Sequence, residues 1–117
     1  MVVKRLKKHF DFIEMRNAPF KSFTHTFVLQ MRPNSLQQTR FGYTVSKKIS
    51  KLATSRNRLR RQMREIVRLS TNLIGKYPSH DFVLIARKDA LEHTYKELSK
   101  DFEYLLAHMK SQENNEE

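Results

Sequence analysis

The sequence predicts an α/β domain with one mixed sheet covered by helices, and three observations carry that prediction. Stretches with period-two or continuous apolar character alternate with stretches of helical periodicity, in the order α-β-β-α-β-α. The chain has 117 residues, 38% of them hydrophobic and eight of them Phe, enough for one modest core in a single domain. Its prolines, Pro19, Pro33 and Pro78, fall between the periodic stretches and not inside them.

A short first helix is expected from about Lys8 to Asn17, offering Phe12, Ile13 and Met15 to the core before Pro19 bars its continuation. Ser22 to Arg32 is rich in aromatic and β-branched residues and is read as a strand, or as two if it splits. Pro33-Asn34-Ser35 supplies turn chemistry. Thr39 to Ser46 alternates Phe41, Tyr43 and Val45 against Arg40, Thr44 and Ser46, which predicts a strand with one buried and one wet face. A long helix is expected over Ser55–Leu73. Its apolar stripe is Leu59, Met63, Ile66, Val67, Ser70, Leu73 and Ile74, and Gly75 with Tyr77-Pro78 ends it. Asp81 to Arg87 is a compact apolar run, expected as a buried central strand. Thr94 and Glu97 have capping-box spacing, and they open a last helix whose apolar face is Tyr95, Leu98, Phe102, Leu105, Leu106 and Met109. Residues 1–110 are read as the domain and 111–117 as an acidic, disordered tail.

Charge narrows the function. There are 23 Lys and Arg against 12 Asp and Glu, a formal net charge of +11. Residues 40–68 hold ten of the basic side chains and one acid, Glu65, whereas the last 29 residues are net acidic. Such segregation is the footprint of a polyanion-binding surface. Arg56, Arg60, Arg64 and Arg68 recur at every fourth position beside the apolar stripe, Asn57 and Arg61 point further out, and Arg58 lies on the other flank. A solvated helix face ordinarily mixes signs, and like charges at this spacing cost roughly 0.2–0.5 kcal/mol per pair. Phosphate is the expected compensation, and the planar guanidinium fork suits it. Lys47, Lys48 and Lys51 extend the patch, with further basic sites at Arg5, Lys7, Lys8 and at Arg87-Lys88.

Other classes of function find little support. Without cysteine there is neither a disulfide nor a thiolate metal site, and the histidines show no metal-ligand spacing. No Gly-rich phosphate loop or serine elbow is present, so no catalytic residue is assigned. No apolar run suggests a signal peptide or a membrane span, so a cytoplasmic protein without a membrane partner is expected.

Arg40-Phe41-Gly42-Tyr43-Thr44-Val45-Ser46-Lys47-Lys48 followed by Arg56-Asn57-Arg58-Leu59-Arg60-Arg61 and Arg64 resembles the protein component of bacterial ribonuclease P. Arg5-Leu6-Lys7-Lys8 with Asp11-Phe12, and Asp81 to Lys88, resemble two further motifs of that family, so the likeness runs from about Arg5 to Met109. It implies a two-layer α/β sandwich of αβββαβα order, ribosomal-protein-like, with a left-handed crossover around the arginine helix. It also implies an accessory subunit of a ribonucleoprotein endonuclease in which RNA-bound Mg2+ does the chemistry and the protein alone holds no cofactor. The implied partners are the catalytic RNA, one to one with a protein that is monomeric alone, and the 5′ leader of precursor tRNA. The leader would lie in a cleft walled by Phe12. The implied RNA-binding set is Arg5, Lys7, Lys8, Phe12, Lys47, Lys48, Lys51, Arg56, Asn57, Arg58, Arg60, Arg61, Arg64, Arg68, Arg87 and Lys88. The chain departs from the family at Arg16 and Gln30, where relatives often carry aromatics, and in the Ser50–Ser55 linker. The rivals are a ribosomal-type structural protein, a DNA-binding regulator with its helix in a major groove, and a stand-alone nuclease.

Overall fold

The computed structural model describes residues 3–6 and 15–111. Strands β1 (Val3–Arg5), β2 (Phe20–Phe23), β3 (Phe27–Pro33), β4 (Thr39–Thr44), β5 (His80–Ala86) and β6 (Lys110–Ser111) form one mixed sheet in the order β1-β4-β5-β3-β2-β6. Helices α1 (Ala53–Leu69), the one-turn α2 (Thr71–Ile74) and α3 (Tyr95–Ala107) complete the fold, with 3-10 turns at Met15–Asn17 and Lys88–Glu92. β4 and β5 are adjacent and parallel, so the chain crosses between them through α1. β5, β3 and β2 run antiparallel in turn.

One face of the sheet carries the main core. Phe27, Leu29, Met31, Phe41, Phe82 and Leu84 point toward Leu59, Met63, Ile66 and Val67 of α1 and Leu98, Phe102, Leu105 and Leu106 of α3. Phe41 and Phe82 stack with centroids 4.5 Å apart and planes at 9°. On the opposite face Val83 packs with Leu6, Met15 and Ala18. β5 is therefore covered on both sides, as its unbroken apolar run predicts.

The central stretch Ser22–Arg32 divides at Thr24-His25-Thr26. The Thr24 hydroxyl accepts hydrogen bonds from the Thr26 and Phe27 N–H groups at 3.3 and 3.2 Å, and Thr24 N–H donates to the Phe27 carbonyl at 2.9 Å. A hydroxyl, not a glycine or proline, makes this turn, which is why composition marked it so faintly. The long helix starts two residues earlier than its expected Ser55 and breaks at Ser70, whose hydroxyl donates to the Ile66 carbonyl at 2.8 Å. α2 then keeps Ile74 buried. The expected first helix falls mostly outside the described residues, and its end, Met15–Asn17, is a 3-10 turn.

The outer face of the strand over Thr39–Ser46 is only partly wet: Ser46 is exposed, but Arg40 and Thr44 are half-buried. Arg40 stands beside Asp81 in register across β4 and β5, and Arg32 stands beside Asp81 across β3 and β5. Arg40 Nε and Nη2 lie 2.7 Å from Asp81 Oδ1 and Oδ2, Arg32 Nε lies 3.1 Å from Oδ2, and Asn34 Nδ2 donates to Oδ1 at 2.8 Å. A fully buried carboxylate thus ties three strands together. The sheet also has two strands that periodicity did not predict: β1, parallel to β4, and β6, which pairs with Phe20 and Lys21 and extends the sheet to Ser111. Among the described residues no helix is long and apolar enough to cross a membrane.

Candidate nucleic-acid interface

α1 begins without help from its sequence. Its N-cap is Leu52, which offers no side-chain acceptor, and the first turn holds no acid. The unpaired N–H groups and the positive end of the helix dipole face a segment that already carries Lys47, Lys48 and Lys51, all exposed. Ser46 to Ile49 is a tight turn closed by Ile49 N–H donating to the Ser46 carbonyl at 3.0 Å, which fixes where Lys47 and Lys48 leave the sheet.

The arginines of α1 divide by what they touch. Arg56 is half-buried and donates to the Ser50 carbonyl at 2.8 Å, pinning the linker to the helix. Arg60 is half-buried too, reaching the Val45 carbonyl at 3.1 Å and Asn57 Oδ1 at 3.0 Å. Arg68 pairs with Glu65, with its Nε 3.1 Å from Oε2, and that pair holds the Glu65 carboxyl below its usual value. Arg58, Arg61 and Arg64 are exposed. Part of the repulsion along the stripe is therefore relieved inside the chain, by backbone carbonyls and one acid.

Three of these arginines border cavities. Arg64 and Arg68 face Lys4 and Arg5 of β1 across a groove of about 480 Å³, with Phe41 and Tyr43 at its floor. Burial pushes the Tyr43 hydroxyl up to about 12, although Arg64 and Arg5 draw it partly back, so it remains an O–H donor at neutral pH. Arg58 borders a smaller hollow of about 230 Å³ shared with Gln62, Leu91, His93 and Tyr95. His93 is pushed above its usual value, first by its hydrogen bond to the Asp89 carbonyl and then by nearby acids.

The remaining assigned residues are dispersed. Arg87 and Lys88 are exposed at the end of β5, with Arg87 Nη1 donating to the Thr24 carbonyl at 2.9 Å. Lys7, Lys8 and Phe12, and with Phe12 the wall of the expected cleft, lie outside the described residues. Lys4 and Tyr43 were not in the sequence-derived set, because β1 had to be seen pairing with β4 before either faced α1. Gln30 is buried, and Arg16 is exposed beside Met15.

The fold and this site define a class: a basic α/β domain whose parallel crossover carries an arginine helix packed on one face of an open mixed sheet. The ribonuclease P family model matches residues 2–110. The chain belongs to the ribonuclease P protein component family, the protein subunit of an endoribonuclease. It is 38% identical over 97 residues to the ribonuclease P protein component of Idiomarina loihiensis, covering 83% of this chain and 74% of the relative. To that of Alkaliphilus metalliredigens it is 35% identical over 106 residues, covering 91% and 93%. Among solved structures, the RNase P protein from Thermotoga maritima superposes with a TM-score of 0.80 at 28% identity, covering 92% of this chain and 99% of that one. The Staphylococcus aureus RNase P protein gives 0.78 at 28% identity, covering 88% and 92%.

Proposed function

We propose that this subunit binds the catalytic RNA of ribonuclease P through α1 and the basic segment before it, and helps position the 5′ leader of precursor tRNA. The observation that carries the reading is the start of α1. Uncapped N–H groups and the positive helix end sit behind exposed Lys47, Lys48 and Lys51, with exposed Arg58, Arg61 and Arg64 further along. Helix N-termini receive phosphate in this way, and arginine forks add bidentate contacts. The Arg5–Arg64 groove prolongs the same surface.

The protein would act by offsetting phosphate repulsion as RNA and substrate meet, while RNA-held Mg2+ carries out hydrolysis. It would do so in the cytoplasm, as a monomer joining one RNA. The helix-turn-helix rival lacks support, because α1 is followed by the one-turn α2 and then by β5.

Reconstitution with a catalytic ribonuclease P RNA tests the proposal. Adding the protein should raise precursor-tRNA cleavage at low magnesium and tighten substrate binding. If neither changes, the proposal is wrong.

A further inference from the structure

Away from α1, the corner where the β2–β3 turn meets α3 holds a depression of about 650 Å³, lined by Phe23, Thr24, Arg87, Lys100, Asp101 and Tyr104. Two of its rings are exposed, Phe23 to 66% and Tyr104 to 51%. Neither exposure is needed by the core. Ser22 takes the inward position on β2 by donating to the Leu105 carbonyl at 2.9 Å, which turns Phe23 outward, and β6 pairs only with Phe20 and Lys21. Tyr104 lies off the buried face of α3, which is Leu98, Phe102, Leu105 and Leu106. It stacks on His108 with centroids 3.9 Å apart and planes at 15°, so its ring is held in place.

Charge surrounds these rings. The Arg87 guanidinium is tethered to the Thr24 carbonyl at 2.9 Å, and Lys100 is exposed on α3. Asp101, the acid of the depression, accepts a hydrogen bond from the Thr26 hydroxyl and so fastens α3 to the turn. Flat exposed rings beside two cations match the chemistry of an unpaired nucleotide, with a π-face to stack and a phosphate to neutralise. The volume falls within the ~300–1,000 Å³ common for small-ligand sites.

We infer that this corner is a second RNA contact, which takes one unpaired nucleotide with its base on Phe23 or Tyr104 and its phosphate on Arg87 and Lys100. The inference rests on the RNA-binding reading of the chain but uses a different surface. Stacking is indifferent to base identity, so the contact reads single-strandedness and not sequence.

The test uses the full chain and hexauridylate as probe. NMR titration should shift the ring signals of Phe23 and Tyr104. Phe23→Leu with Tyr104→Leu keeps apolar bulk but removes the flat rings, and should weaken binding about tenfold at an unchanged salt slope. Arg87→Gln with Lys100→Gln should instead lower the slope by roughly 0.7, one single-strand phosphate's worth. Thermal unfolding of both variants confirms that the fold is kept. If ring signals stay still, or both variants bind like the parent, the inference is overturned. Cleavage with the catalytic RNA separates the two readings. Stimulated cleavage without hexauridylate contact here sinks only this inference, whereas contact here without stimulation sinks only the proposed function.

Discussion

Asp81 shows how a single position can be misread from its neighbours. As the first residue of an apolar run it resembles a strand-end acid, yet it is fully buried between Arg32 and Arg40. Burial by itself would raise its carboxyl, but hydrogen bonds from Arg40, Asn34 and Arg32 outweigh that and hold it below its ordinary value. A carboxyl depressed in the folded state adds stability that is complete above the unfolded value of 3.8 and is lost as pH falls through the folded one. Asp81→Asn should therefore cost roughly 3 kcal/mol at neutral pH, since it removes the buried charge that the hydrogen bonds from Arg40 and Arg32 meet. It should also flatten the acid limb of the stability curve below about pH 4, and denaturant titrations between pH 2.5 and 7 would show both effects. Arg60 and Arg58 make a second contrast at this scale. Arg60 holds the Val45 carbonyl and should lose about 1 kcal/mol of stability on replacement by Ala. Arg58 is exposed, so Arg58→Ala should weaken RNA binding while leaving the melting temperature unchanged. A drop in melting temperature for Arg58→Ala would reassign it to the scaffold.

At the scale of elements, α3 and α1 solve the same problem in opposite ways. α3 carries its own start signal: Thr94 Oγ1 accepts from Glu97 N–H at 3.2 Å, and Glu97 Oε1 accepts from Thr94 N–H at 2.9 Å. Thr94→Ala should cost about 1 kcal/mol, measurable by chemical denaturation. α1 has no such cap, and its first turn has no acid to meet the dipole. Introducing one, by Ala53→Asp, should stabilise the free protein slightly and at the same time weaken RNA binding, because the acid occupies the field that phosphate would use. Filter-binding and thermal unfolding of the same variant would show the opposed changes. Tighter RNA binding would remove the helix start from the interface.

Over the whole molecule, the net charge of +11 is distributed on several surfaces that sequence order does not reveal. If ~5 phosphates are neutralised, the logarithm of RNA affinity should fall against the logarithm of salt with a slope of about −3.5 to −4.5. A slope near zero would mean that the arginines are only solvated. The element types, the helix stripe and the capping box were legible because each depends on residues within one or two turns of each other. The motif Arg56-Asn57-Arg58 with its upstream Lys47-Lys48 was legible for the same reason, and it sufficed to indicate the family. Strand β1 was not legible, because three residues carry no usable period and its partner β4 lies more than thirty positions away. The roles of Arg56, Arg60 and Arg68 were hidden likewise, since a charge stripe looks alike whether its guanidiniums meet solvent or carbonyls. The sequence by itself determined the alternation of elements, the basic character and the family. Tertiary structure decided which arginines are spent on the scaffold, that Asp81 binds three strands, and that Phe23 and Tyr104 share one depression. The reason is physical: local periodicity records which way a side chain faces, but only long-range pairing decides what it faces.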